Sequence, residues 1–115
     1  MDFEFDPNGA DLDAPLIYLW VLHWPDGRQK RYVGKAQGGA RRPRRHYARN
    51  VRNLLAGRPY RKNKPDQFRA VHRAMADCIQ TGGTMVLRIL ENVALADLLA
   101  REQYHIRAQN ADLNG

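Results

Sequence analysis

Residues 16–34, LIYLWVLHWPDGRQKRYVG, constrain this chain more than any other stretch. Two runs of apolar, β-branched and aromatic residues flank Pro25-Asp26-Gly27. Proline pre-sets the second position of a turn, Asp bonds its own backbone, and Gly accepts a positive φ. The stretch is predicted to be a β-hairpin, with strands over residues 16–23 and 30–34. The first run is apolar on both faces, as in a strand with little solvent exposure. Folding about Pro25 and Asp26 sets Tyr18 roughly opposite Tyr32. Cross-strand neighbours sit about 4.5–5.5 Å apart at Cβ, so two phenols are expected on one sheet face. The second strand then runs into Gly34, Lys35 and a long basic segment.

Gly38-Gly39 breaks the chain before a helix, and Pro43 suits its first turn, where a missing N–H costs nothing. Tyr47, Val51, Leu54 and Leu55 fall at helical spacing toward a core, and Arg42, His46 and Asn50 form a polar stripe beside them. Gly57 is a stop, and RPYRKNKPDQ is a cationic loop. A second helix is predicted from near Pro65, with Phe68, Val71, Met75, Cys78 and Ile79 as its apolar stripe. Thr81-Gly82-Gly83 ends it. Residues 84–90 read as a third strand and 94–109 as a last helix with the stripe Leu95, Leu98, Leu99, Glu102, Ile106. Glu102 is the misfit. A carboxylate on a core-facing stripe is costly unless paired or metal-bound, and both an arginine salt bridge at the core's edge and a metal site fit it. The predicted fold is α/β of the α+β kind: a small three-stranded antiparallel sheet flanked by helices, in the order β-β-α-α-β-α.

The 115 residues suit one domain, and 43% hydrophobic with 27% charged content suits a soluble globular one. Residues 1–15 carry five carboxylates and no Lys or Arg, so a net charge of +7 leaves +12 on the rest. They are predicted to be an acidic arm, a mobile or loosely packed lead-in that lies transiently over the basic surface and competes with nucleic acid, with an inert tail, or packing of Phe3 and Phe5 on the core, as the alternatives. Residues 16–115 form the domain. Between Arg28 and Lys64 there are fourteen Lys or Arg and no carboxylate. So one-sided a block usually faces a polyanion, which points to nucleic acid. The single cysteine, Cys78, excludes an internal disulfide and reads as a small core residue. No apolar run is long enough to span a membrane, and the acidic N-terminus is the reverse of a signal peptide. An intracellular, cytoplasmic protein is expected.

Leu16-Ile17-Tyr18, followed by Tyr32-Val33-Gly34-Lys35-Ala36, resembles the two motifs of the GIY-YIG nucleases. "YVGKA" is similar to the stretch in the N-terminal nuclease domain of the bacterial excision-repair nuclease. Arg42 and His46 match the family's first-helix arginine with His or Tyr four residues later. Glu102 in LLAREQYHI matches its metal-binding glutamate, and Leu113-Asn114 its closing Leu-Asn. Residues 62–91 are also similar to the middle of phage homing endonucleases, so the resemblance covers roughly residues 16–114. It departs at two places. Leu16 stands where the family has glycine, and Pro43 directly follows Arg42. The proline bears on where the helix starts and where Arg42 points, with Arg41, Arg44 and Arg45 as neighbouring substitutes.

The resemblance implies a metal-dependent endonuclease hydrolysing DNA phosphodiesters with one metal and a tyrosine base. Glu102 would hold Mg²⁺, or Mn²⁺, since magnesium keeps several waters and needs only one or two carboxylates. Tyr32 would be the base, favoured as phenolate by Lys35 and the metal. Tyr18 would orient the water or Tyr32, and Arg42 would bind the scissile phosphate through its planar fork. His46 would position water, contact phosphate or protonate the leaving group. Arg41, Arg44, Arg45, Arg49, Lys62, Lys64 and Asn114 are the candidate nucleic-acid contacts. A non-catalytic binding module on the same fold and an RNA-directed nuclease remain open, because phosphate contacts carry little sequence information. Target choice would fall to loops, a homodimer, a separate targeting subunit, or branched-DNA shape.

Overall fold

The computed structural model describes residues 1–115. In chain order it has β1 (Glu4–Asp6), β2 (Leu16–His23), β3 (Gln29–Ala36), α1 (Arg41–Leu55), α2 (Ala70–Gln80), β4 (Thr84–Asn92) and α3 (Leu98–Ala108). Short 3₁₀ turns at Leu95–Asp97 and Asp112–Asn114 precede and follow α3. The fold is α+β. Its strands form one mixed sheet in the order β1-β4-β2-β3, with β2 antiparallel to both neighbours and β1 parallel to β4.

The sheet corrects the expectation of three antiparallel strands, because the acidic N-terminal segment supplies the fourth. Phe3 packs edge-on against Trp20, with ring centroids 4.9 Å apart. Phe5 lies under the Arg44 guanidinium at 4.3 Å. Asp6 pairs with Arg88 at 2.9 Å, and Asn92 clasps both the N–H and the C=O of Asp11 at 2.8 Å. The alternating Phe3 and Phe5, read as a secondary possibility beneath the carboxylates, decide the outcome. The segment also braces the start of α1, where the Ala40 N–H donates to the Leu12 carbonyl at 2.9 Å.

β2 is central and explains its own composition. Leu16, Tyr18, Trp20 and Leu22 point into a cluster that includes Tyr47, Val51, Val71 and Met75. Ile17 and Leu19 point the other way, to Val33, Leu98 and Ala111. Each fully buried side chain of this kind contributes about 1.5–3 kcal/mol, so neither face of β2 tolerates a charge.

The hairpin forms with a shifted register. The Gly27 N–H donates to the Trp24 carbonyl at 3.1 Å, and Gly27 itself sits at φ +91°. The Asp26 carboxylate accepts from the Arg28 backbone at 2.9 Å. Residues 24–28 make the connection, so Tyr18 meets Gly34 and Trp20 meets Tyr32. Tyr18 and Tyr32 are thus diagonal neighbours on one face rather than directly opposed. Between β2 and β4 the register slips at Ile17/Tyr18, leaving Leu90 as a bulge beside Tyr18.

The first helix matches its expectation and the other two shift. α1 starts at Arg41 with Pro43 buried in its first turn, so the proline costs no hydrogen bond. α2 begins at Ala70 because Pro65 belongs to the preceding loop, its carbonyl accepting from Tyr60 N–H at 2.9 Å. Of the α3 stripe only Leu98 is buried; Leu95 is 55% and Leu99 61% exposed. The 3₁₀ turn at 95–97 has three residues per turn and so breaks the phase of the stripe. No helix is long and apolar enough to cross a membrane.

Candidate functional site

The β2–β3 hairpin, α1, α3 and the N-cap of α2 surround a cavity of about 770 Å³. All six expected catalytic residues line it: Tyr18, Tyr32, Lys35, Arg42, His46 and Glu102, joined by Arg41, Arg45, Tyr47 and Arg69. The floor begins with the hairpin. Tyr18 lies across the backbone of Gly34, where a Cβ would overlap the phenol ring. Its hydroxyl is hydrogen-bonded to that of Tyr47 on α1 at 2.5 Å. Both residues are buried, at 6% and 2% exposure. Burial pushes both phenols well above their usual range, so the pair stays protonated at neutral pH.

Tyr32 is different. It is partly exposed, its ring centroid 6.0 Å from that of Tyr47. Arg69 donates to its hydroxyl oxygen and holds its guanidinium 5.1 Å from the ring centroid. Arg69 is the N-cap residue just before α2, and its backbone N–H donates to Nδ1 of His72 at 3.3 Å. That bond makes His72 a neutral acceptor with its proton on Nε2, an atom without a partner. Burial, then the Arg69 charge and His46, pull His72 down to about 4. His46 sits over Tyr47 with ring centroids 5.5 Å apart and touches Asn50 at 3.2 Å. Burial, followed by Arg42, Arg69, Arg49 and Arg61, holds His46 below the usual histidine range. It is therefore largely neutral at pH 7, an acceptor or water-positioning group rather than a charged acid.

On the opposite wall Glu102 of α3 meets Lys35 of β3, with Oε1 and Nζ 3.2 Å apart. The misfit carboxylate is paired with a lysine rather than an arginine, and its side chain is only 13% exposed. His105, three residues on, does not join it. That imidazole and Arg101 both hold Glu91 instead, Arg101 at 2.6 Å. Nowhere do three or more His, Cys, Asp or Glu gather as a metal site. Glu102 is the one carboxylate lining the cavity. A single shielded carboxylate fits magnesium, which takes its remaining ligands as water and substrate oxygens.

The expected nucleic-acid contacts divide. Arg41 and Arg45 line the cavity with Arg42, so Pro43 does not turn Arg42 away. Arg44 instead covers Phe5. Arg49, Lys62 and Lys64 are exposed outside the lining, Lys64 in a bridge to Arg61. Asn114 lies outside the lining and is engaged at the edge of β3. Its amide accepts from the Val33 N–H at 2.8 Å and donates to the Val33 carbonyl at 2.7 Å. It satisfies the outer edge of β3 as a neighbouring strand would.

Tyr47 and Arg69 were not among the expected site residues. Tyr47 fits the core phase of α1, and only its hydroxyl hints that a buried partner is needed. Arg69 follows Phe68 at the end of a cation-rich stretch, and nothing local separates it from its neighbours. A scan against family models, a search of characterised proteins and a search of solved structures each find no match for the chain.

Proposed function

We propose that the chain is an endonuclease of the GIY-YIG type, hydrolysing DNA phosphodiester bonds with one divalent cation on Glu102. The observation that carries the reading is the cavity itself. It gathers one shielded carboxylate, a phenol touched by a guanidinium, and a ring of cations, all from residues 18 to 102. A binding module has no need to bury a carboxylate inside its basic surface.

In this reading Arg42 grips the scissile phosphate through its planar fork, with Arg41 and Arg45 neutralising its neighbours. Tyr32 takes the proton of the attacking water. The guanidinium of Arg69 on its oxygen stabilises the negative charge that develops there. Tyr18 and Tyr47, held protonated by burial, donate and accept within the floor and keep the Tyr32 ring in place. Neutral His46 orients water through a ring nitrogen. Magnesium, when bound at Glu102, supplies Lewis-acid polarisation of a phosphate oxygen and stabilises the leaving oxygen.

The test is nicking of supercoiled plasmid with Mg²⁺, with EDTA, and beside an RNA of matched length. Mg²⁺-dependent nicking of DNA is expected. Cleavage of RNA alone would transfer the chemistry to the other polymer, and no cleavage of either would favour the binding module.

A further inference from the structure

Five cationic side chains line the cavity, Lys35, Arg41, Arg42, Arg45 and Arg69, against the single carboxylate of Glu102. That carboxylate is already engaged by Lys35 Nζ at 3.2 Å. A divalent cation approaching the protein alone therefore meets two obstacles. It enters a field of like charge, strengthened by low-dielectric walls. It must also displace an ammonium group from its ligand. A phosphate in the cavity reverses both effects. It neutralises the guanidinium groups, and it offers Lys35 a second anion within reach of a flexible, 45%-exposed side chain.

The geometry points to Lys35 as an internal counter-ion that occupies Glu102 until a phosphate arrives, so that the divalent cation and the nucleic acid load together. This rests on Glu102 being the metal ligand. Lys35 exchanges partners, from Glu102 Oε1 to a phosphate oxygen, and no covalent bond changes. The coupling is reciprocal: the factor by which nucleic acid raises metal affinity is the factor by which metal raises nucleic-acid affinity. It also guards an isolated basic protein against binding a metal with no substrate present.

Two measurements on the full chain test it. The first is Mn²⁺ binding without nucleic acid, read by electron paramagnetic resonance as loss of the free-ion signal. Lys35→Met, and Lys35→Gln as a second uncharged variant, are expected to bind Mn²⁺ about two- to fivefold more tightly than the unaltered chain, the range set by removing one partly exposed ion-pair partner. Lys35→Arg, which keeps the charge, should match the unaltered chain, and Glu102→Gln should lose the site. The second is the affinity for a short DNA duplex in EDTA and in Ca²⁺, at fixed ionic strength. Ca²⁺ should tighten binding by the unaltered chain and leave Glu102→Gln unchanged. Equal Mn²⁺ affinity with and without the Lys35 charge, at a site that still needs Glu102, overturns the counter-ion role while sparing the metal reading. Duplex affinity indifferent to Ca²⁺ overturns joint loading. Mn²⁺ binding that ignores Glu102 overturns the metal reading and this inference with it.

Discussion

The phenol ring of Tyr18 fills the space that a side chain at Gly34 would need. The two residues are cross-strand partners in the hairpin, and the glycine lets the ring reach across β3 to Tyr47. Gly34→Ala must push the ring aside or part the strands. The expected result is loss of cleavage together with a lower melting temperature. Gly38→Ala, where an added Cβ meets nothing within 4 Å, is the control and should behave as the unaltered chain. Full activity in Gly34→Ala would mean that the position of Tyr18 is immaterial.

The two tyrosines should differ in kind. Tyr32→Phe removes the proposed base and is expected to lower the single-turnover rate by about 10²–10⁴-fold with stability nearly unchanged. Tyr18→Phe leaves the Tyr47 hydroxyl buried without its 2.5 Å partner. Its main cost should be stability, about 1–3 kcal/mol by denaturant unfolding. A larger kinetic loss at Tyr18 than at Tyr32 would reverse the assignment.

His72 gives a pH dependence with a definite sign. It is fully buried and held at about 4, below its ordinary value near 6.5. Above about 6.5 it is neutral in both folded and unfolded chains and adds no pH dependence. Between about 6.5 and 4 the unfolded chain takes up a proton that the folded one refuses, so stability falls as the pH falls, by on the order of 3 kcal/mol. Denaturant melts across that range should show the loss for the unaltered chain and a shallower slope for His72→Leu. An identical slope in both would place the titrating group elsewhere.

The N-terminal segment is expected to matter through stability rather than through competition for nucleic acid. Deleting residues 2–14 removes β1 and uncovers Trp20 and the Gly39-Ala40 turn. Partial burial of Phe3 and Phe5 sets a loss of at least about 2 kcal/mol. An unchanged melting temperature with tighter duplex binding would instead support a detachable arm.

The site was more legible in the sequence than the fold's edges were. Tyr18, Tyr32, Lys35, Arg42, His46 and Glu102 are spread along most of the chain, and the resemblance to the GIY-YIG motifs set them together as candidates; of the six only Glu102, a carboxylate on an apolar stripe, stood out by its local pattern, and the fold brings all six to one cavity. The hairpin register was not legible, because it depends on whether the connection closes at Pro25-Asp26 or spans residues 24–28. β1 was hidden because a three-residue strand carries almost no periodicity, and its carboxylates outweigh two phenylalanines in any compositional reading. The Lys35–Glu102 pair and the Arg69–Tyr32 contact join residues 67 and 37 positions apart. No pattern along the chain records such pairs. The pairing of the Asn114 amide with the backbone of Val33 was not legible either, because it joins residues 81 positions apart.

The most direct measurement sets cleavage beside binding for one substitution. Glu102→Gln keeps the shape of a side chain that is 13% exposed and removes its charge. An amide is a far weaker ligand for a hard cation than a carboxylate. Under single-turnover conditions with Mg²⁺, the unaltered chain is expected to cleave DNA and Glu102→Gln to be inactive, while both bind the same duplex with similar affinity in EDTA. Cleavage by Glu102→Gln at the unaltered rate would contradict the account, leaving Glu102 as no more than the partner of Lys35.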